Sequence, residues 1–215
     1  MCKRNVLFLC VLLTFIAGRS GFLLADLTEP IPGKGDQSVI LRPIDKLEAT
    51  VDRILNILRD IKSGKSLTQN NSVEIRDAIE SSFSFDQITK RALGRNLGKF
   101  TAIEVGVFTK EFTTMLINTY VDKFLEFNIT NVAFEKEVFL STTKMEVKTQ
   151  VSANTGGFAV SYRLLKLEDS WEVYDVIIEG VSLVGNYRTQ FDSYLERGSV
   201  SKLINHIAEM NKQRE

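Results

Sequence analysis

Asp175 and Glu179, inside Trp171-Glu-Val-Tyr-Asp-Val-Ile-Ile-Glu-Gly180, have the spacing in this chain that most suggests acid–base chemistry. On an extended strand, four residues at about 3.3 Å each separate them by roughly 13 Å. Carboxylates that work together on a glycosidic bond lie about 5–9.5 Å apart. The pair is too wide. The simpler expectation is that Asp175 pairs with Arg163 across a hairpin while Glu179 meets a helix end or backbone donors. Gly94-Arg-Asn-Leu-Gly98-Lys99 resembles a fragment of a phosphate-binding loop. It has three residues between the glycines instead of four, Phe100 where Ser or Thr should stand, and no strand before it. The single histidine, His206, sits among Lys202, Asn205, Glu209 and Lys212, the setting of a solvated helical position. One histidine and two cysteines, both before residue 11, leave no inventory for a zinc site or for Cys/His or Ser/His catalysis. The Asn-x-Ser/Thr triplets at Asn70 and Asn128 bear on modification only in a eukaryotic secretory pathway. The enzymatic alternative is an isomerase-like cavity with Asp175 near a tyrosine. A scaffold whose apolar residues are all core is the other. Neither needs a cofactor.

The elements that position these residues begin after an N-terminal segment of a different kind. Lys3 and Arg4 precede a nearly unbroken apolar run from Val6 to Ala17, and the segment ends at Phe22-Leu-Leu-Ala25. This is the layout of a secretory signal peptide spanning 1–25, with cleavage near Ala25. The run is 12 residues long, too short for a bilayer that needs about 20. Both cysteines fall inside it, so the mature chain suits an oxidising compartment without disulfides. Removing it leaves 24 basic against 27 acidic residues. That balance and the lack of a basic cluster argue against nucleic acid as a partner.

Residues 26–42 hold Pro30, Pro32 and several small residues and read as a flexible lead-in to a single domain over 43–215. Pro43 opens a helix whose Ile44, Leu47, Val51, Ile54, Leu55, Leu58 and Ile61 form one stripe, with Gly64 closing it. After a polar link at 65–72, a second amphipathic helix runs through Val73 and Ile79, and Phe85–Leu93 reads as a third. Thr101 and Glu104 form a capping box before a long helix with Val105, Phe108, Phe112, Met115, Leu116, Tyr120, Phe124 and Phe127 at three- or four-residue spacing. From Ile129 the period changes to two. Strands are expected at about 130–139, 144–153, 157–167 and 171–179, then helices at about 182–196 and 199–212. A three-residue loop in the last hairpin would set Leu164 opposite Tyr174, Tyr162 opposite Val176 and Val160 opposite Ile178. The order predicts an α+β fold: N-terminal helices and two C-terminal helices over a strongly twisted antiparallel sheet of about four strands. The last strand is apolar on one face and largely apolar on the other, so both faces must be covered. Incompletely closed layers would accept an apolar ligand.

With these elements in view, the chain resembles the MlaC family of periplasmic phospholipid-binding (toluene-tolerance) components of bacterial ABC lipid transport systems. The likeness spans roughly 43–212. Ala92-Leu-Gly94 with Phe100, Phe108 to Tyr120, Tyr162-Arg-Leu and above all Trp171-Glu-Val-Tyr-Asp-Val-Ile-Ile-Glu-Gly-Val-Ser182 carry it. Thr101-Ala102 stands where the family usually has Thr-Pro. The resemblance implies a periplasmic carrier, not an enzyme, that buries acyl chains and leaves the headgroup near solvent. Its partners would be an outer-membrane lipoprotein complex and an inner-membrane ABC transporter with an MCE-domain subunit. The expected pocket lies between the long helix (Phe108, Phe112, Met115, Tyr120) and the sheet face bearing Tyr162, Leu164, Tyr174, Val176 and Ile178.

Overall fold

A computed structural model describes residues 42–63, 69–154, 156–168 and 170–213. The expected signal peptide, most of the lead-in and the closing Gly64 lie outside these residues. Six helices and five strands follow in the order α1 (Asp45–Lys62), α2 (Gln69–Ser82), α3 (Phe85–Leu93), α4 (Ala102–Phe127), β1 (Ile129–Ser141), β2 (Lys144–Ala153), β3 (Gly156–Leu167), β4 (Ser170–Ile178), β5 (Val181–Ser182), α5 (Leu183–Arg197) and α6 (Val200–Lys212). A short 3-10 turn, Gly94–Lys99, joins α3 to α4. The strands form one antiparallel meander in sequence order. The fold is α+β as expected, with five strands instead of about four. No described helix is long and apolar enough to cross a membrane.

Local chemistry sets the boundaries. Helix α1 starts two residues after Pro43, because the Arg42 backbone N–H donates to the Asp45 carboxylate at 2.6 Å and ties the turn before it. Helix α2 begins at Gln69, within the stretch expected as link, and buries Ile75 and Ala78 while Val73 stays 51% exposed. Helix α4 opens on the expected capping box: Glu104 N–H donates to Thr101 Oγ1 at 3.2 Å, and Thr101 N–H donates to the Glu104 carboxylate at 2.8 Å. Those bonds from Thr101 hold the Glu104 carboxyl below its ordinary range.

The fifth strand comes from the turn at Gly180. Glu179 and Gly180 both have positive φ, +49° and +81°, the pattern of a two-residue I′ hairpin turn. The chain therefore folds back, pairing Ile178 with Val181 and Ile177 with Ser182, before α5 begins. Glu179 takes a backbone donor, the Ala159 N–H, as the sequence suggests.

The β3–β4 register differs from expectation near the loop. The connection has two residues, so Leu167 pairs with Ser170 and Leu164 with Val173. A bulge between Arg163 and Leu164 then restores Arg163 opposite Asp175, Tyr162 opposite Val176 and Val160 opposite Ile178. Tyr174 is the inserted residue. The free edge of β4 beside the bulge is covered by Phe83 and Ser84, whose N–H donates to the Val173 carbonyl at 2.9 Å.

Replacing Thr101 with Ala removes the N-cap of the longest helix. It should lower unfolding free energy by about 1 kcal/mol, measured by urea denaturation with an unchanged m-value.

Candidate functional site

The apolar side chains gather in separate clusters, and the division defines the site. One is helical. Phe108, Phe112 and Met115 of α4 pack with Ala92 and Leu93 of α3, Val184, Tyr187 and Phe191 of α5, and Leu203 and Ile207 of α6. Phe108 and Phe112 are fully buried, and their rings meet Phe191 edge-on at 5.3 and 5.2 Å. Tyr120 packs against the margin of this cluster, where burial, reinforced by Tyr187, raises its hydroxyl pKa strongly.

The second cluster is a layer between the sheet and α1. Met145, Val147 and Val151 of β2, Val160, Tyr162 and Leu164 of β3 and Val173 of β4 pack with Ile44, just before α1, and with Leu47, Val51 and Leu55 of α1. The alternation of β2 and β3 makes this inevitable once one sheet face is chosen. Thr149 lies on the same face but donates its hydroxyl to the Val160 carbonyl at 2.9 Å, so the layer carries no free polar group there. Around it stands a rim of partly buried apolar residues: Phe124 and Phe127 from the end of α4, Phe134, Phe158, Trp171, Val176 and Ile178. Burial pushes the Tyr162 hydroxyl up to about 12.

The nine residues singled out from sequence thus fall into different surroundings. Tyr162, Leu164, Val176 and Ile178 share the sheet layer. Phe108, Phe112, Met115 and Tyr120 belong to the helical cluster. Tyr174 lies in neither: the bulge removes it from the register, and its ring sits under the Arg91 guanidinium at 4.3 Å. The physical reason is length. At about 1.5 Å per residue, the 26-residue α4 spans about 39 Å, so its first turns meet α5 and α6 while only its last turns reach the sheet layer. Three- or four-residue spacing shows which residues share a stripe, not what each part of the stripe touches. The α1 stripe and Val173 complete the sheet layer and were not among the nine. The first was visible as an amphipathic helix; the second needed the bulge.

Asp175 is 5% exposed and fully engaged. One carboxylate oxygen accepts from Val184 N–H at 3.1 Å, the other from Ser182 Oγ at 2.7 Å, with Arg163 at 3.7 Å. It pairs with Arg163 as expected and also anchors the first turn of α5. A general base needs a lone pair aimed at substrate, and here both oxygens serve the fold. His206 stacks on Tyr194 at 5.6 Å on the outer helices.

Two depressions open at the surface. A shallow groove of about 580 Å³ is lined by Asp86, Lys90, Leu97, Phe100 and the first turns of α4. A recess of about 140 Å³ lies between the start of α1 and β1. Its floor, Ile44, Phe134 and Val147, belongs to the sheet layer, and its lip is Arg42, Glu48 and Glu137. Arg42 holds both acids, at 3.1 and 4.0 Å.

The family model described as MlaC protein matches residues 48–209. The chain belongs to the MlaC family. Toluene tolerance protein ttg2D from Pseudomonas putida is 24% identical over 161 residues, covering 72% of this chain and 74% of that protein. A phospholipid-binding protein from Ralstonia solanacearum, solved in complex with a phospholipid, superposes with a TM-score of 0.68 at 27% identity. That match covers 80% of this chain and 98% of the other. The MlaC match takes in all four long strands and α2 to α5 whole, together with most of α1 and α6.

Tyr162 gives the layer a titration signature. Its folded pKa lies above its ordinary value near 10, so its contribution to stability is complete below pH 10 and is lost as pH rises toward 12. Tyr162 should account for about 2–3 kcal/mol of the stability the wild type loses across that window. Tyr162→Phe should roughly halve the slope measured by urea titration at successive pH values, with the strongly raised Tyr120 hydroxyl supplying the remainder.

Proposed function

We infer that this protein is a periplasmic phospholipid carrier that holds acyl chains in the layer between α1 and the sheet and leaves the headgroup near solvent. The lipid-bound relative of the same fold carries this reading, and the apolar layer supplies a chemistry that fits it. Two acyl chains hold about 30 methylenes, each worth about 0.8 kcal/mol in water, so bare transit would cost roughly 24 kcal/mol. A carrier must cover nearly all of that length. It must also bind no more tightly than a bilayer does, or it could not release its cargo. Side chains without polar demands meet both conditions.

The side chains of the layer are buried against one another. A permanent hollow of about 300–1,000 Å³, the usual size of a ligand pocket, would cost about 7–24 kcal/mol at about 24 cal/mol per Å³. That rivals the whole stability of a domain, about 5–15 kcal/mol. Loading therefore parts α1 from the sheet, and each acyl chain replaces contacts that side chains otherwise make with one another. The recess at Ile44, Phe134 and Val147 is where the layer reaches the surface, and it is the natural starting point for that parting. In the MlaC arrangement the carrier would exchange lipid with an outer-membrane lipoprotein complex and with an inner-membrane ABC transporter bearing an MCE-domain subunit. No catalytic role is assigned.

The mature protein, purified from its own periplasm and extracted, should yield phospholipid by mass spectrometry at near-stoichiometric amounts. Ile178→Trp and Val176→Trp enlarge half-buried rim positions that tolerate bulk, and should lower recovered lipid several-fold at unchanged melting temperature. Lipid-free wild-type protein would overturn the reading.

A further inference from the structure

The hairpin between β1 and β2 ends in an apolar tip that the core does not use. Phe139 is 61% exposed and Leu140 is 51% exposed. Beside them the sole tryptophan, Trp171, meets the Phe139 ring edge-on at 6.1 Å and packs at the same time against the sheet layer. An exposed Phe and Leu side by side at a strand end are costly in water, since burying each is worth about 1.5–3 kcal/mol.

The charges around the tip are arranged for a particular surface. Its apex, Ser141-Thr142-Thr143-Lys144, has no carboxylate. Lys166 stands beside it, because its N–H donates to the Thr143 carbonyl at 2.9 Å. The nearest acids on these two strands are already engaged, Glu137 facing Arg42 at 4.0 Å and Glu146 bonded to Arg163 at 3.2 Å. Lys144 and Lys166 face no carboxylate within ion-pair distance among the described residues. Exposed Glu168 lies one hairpin turn away. Hydrophobic tips backed by an aromatic ring, hydroxyls and lysines match the water–bilayer boundary, where apolar ends enter the acyl region and cations stay with phosphates.

Continuity identifies the occupant. The same strand runs from Phe134 and Glu137 at the recess to Phe139 at the tip, and Trp171 bridges tip and layer. The Phe139–Trp171 contact therefore links the exposed tip to the layer through apolar side chains. A folded protein partner would need no such connection.

We propose that the Phe139–Leu140 tip inserts into the surface of a phospholipid bilayer and passes acyl chains to the layer behind Trp171. The proposal rests on the carrier reading and adds direct membrane contact to it. Because Trp171 is the sole tryptophan, its emission reports insertion. Adding vesicles of phosphatidylethanolamine with a minority of phosphatidylglycerol to the mature protein should shift that emission to the blue. Leu140→Asp, which leaves the Phe139–Trp171 contact in place, should weaken vesicle binding at least about tenfold, the ratio that about 1.4 kcal/mol sets. Phe139→Ser should do likewise. Both variants should slow exchange of a fluorescent phospholipid between vesicles while co-purifying with wild-type amounts of lipid. Unshifted emission, or exchange at the wild-type rate in Leu140→Asp, would overturn the tip. Lipid-free wild-type protein would instead overturn the carrier reading, so the two failures are distinct.

Discussion

The requirement that shapes this molecule is the removal from water of a long, twisted apolar sheet face. Val147, Val151, Val160, Tyr162, Leu164 and Val173 all point to one side of three neighbouring strands. Nothing in the strands can satisfy that face, so a helix must lie across it, and α1 does. Helices α3, α4, α5 and α6 share a separate aromatic core around Phe108, Phe112 and Phe191. The protein thus combines a helical body with a sheet whose inner face is closed by α1 and by a rim of half-buried rings.

That division explains how a carrier could stay folded while its cargo changes. In the proposed carrier, an acyl chain parting α1 from the sheet would exchange one apolar contact for another while the cluster around Phe108, Phe112 and Phe191 keeps its own contacts. Asp175 is the link that must not move. It ties β4 to the first turn of α5 through Val184 and Ser182 and to β3 through Arg163. Buried and bonded through both oxygens, it keeps the sheet registered on the helical body. The carboxylate most suggestive of catalysis is thereby a structural joint.

Much of this was legible in the sequence, and the reasons differ by element. Helix α3 and strand β2 were found with their observed boundaries because Gly94 and the turn residues leave little choice. The capping box at Thr101 and Glu104 is a local contact, so it was readable without knowing the fold. The α+β order followed from the change of period at Ile129. The differences have separate causes. The bulge at Tyr174 depends on a two-residue loop and on Ser84 bonding the Val173 carbonyl, contacts between segments about ninety residues apart. The fifth strand required Glu179, a non-glycine, to adopt positive φ. The nine residues named for the site divide between clusters because the two ends of α4 meet different neighbours. Four of the nine share the sheet layer, and α1, read as an amphipathic helix, packs across them.

Mapping where acyl chains lie tests the account most directly. A phospholipid carrying a photoactivatable group in its acyl chains, loaded into the mature protein and cross-linked, can be located by peptide mass spectrometry. Adducts should fall on β2 to β4 residues such as Tyr162, Val176 and Ile178 and on the facing side of α1. Adducts confined to the Phe108, Phe112 and Phe191 region, with none on the sheet, would contradict it.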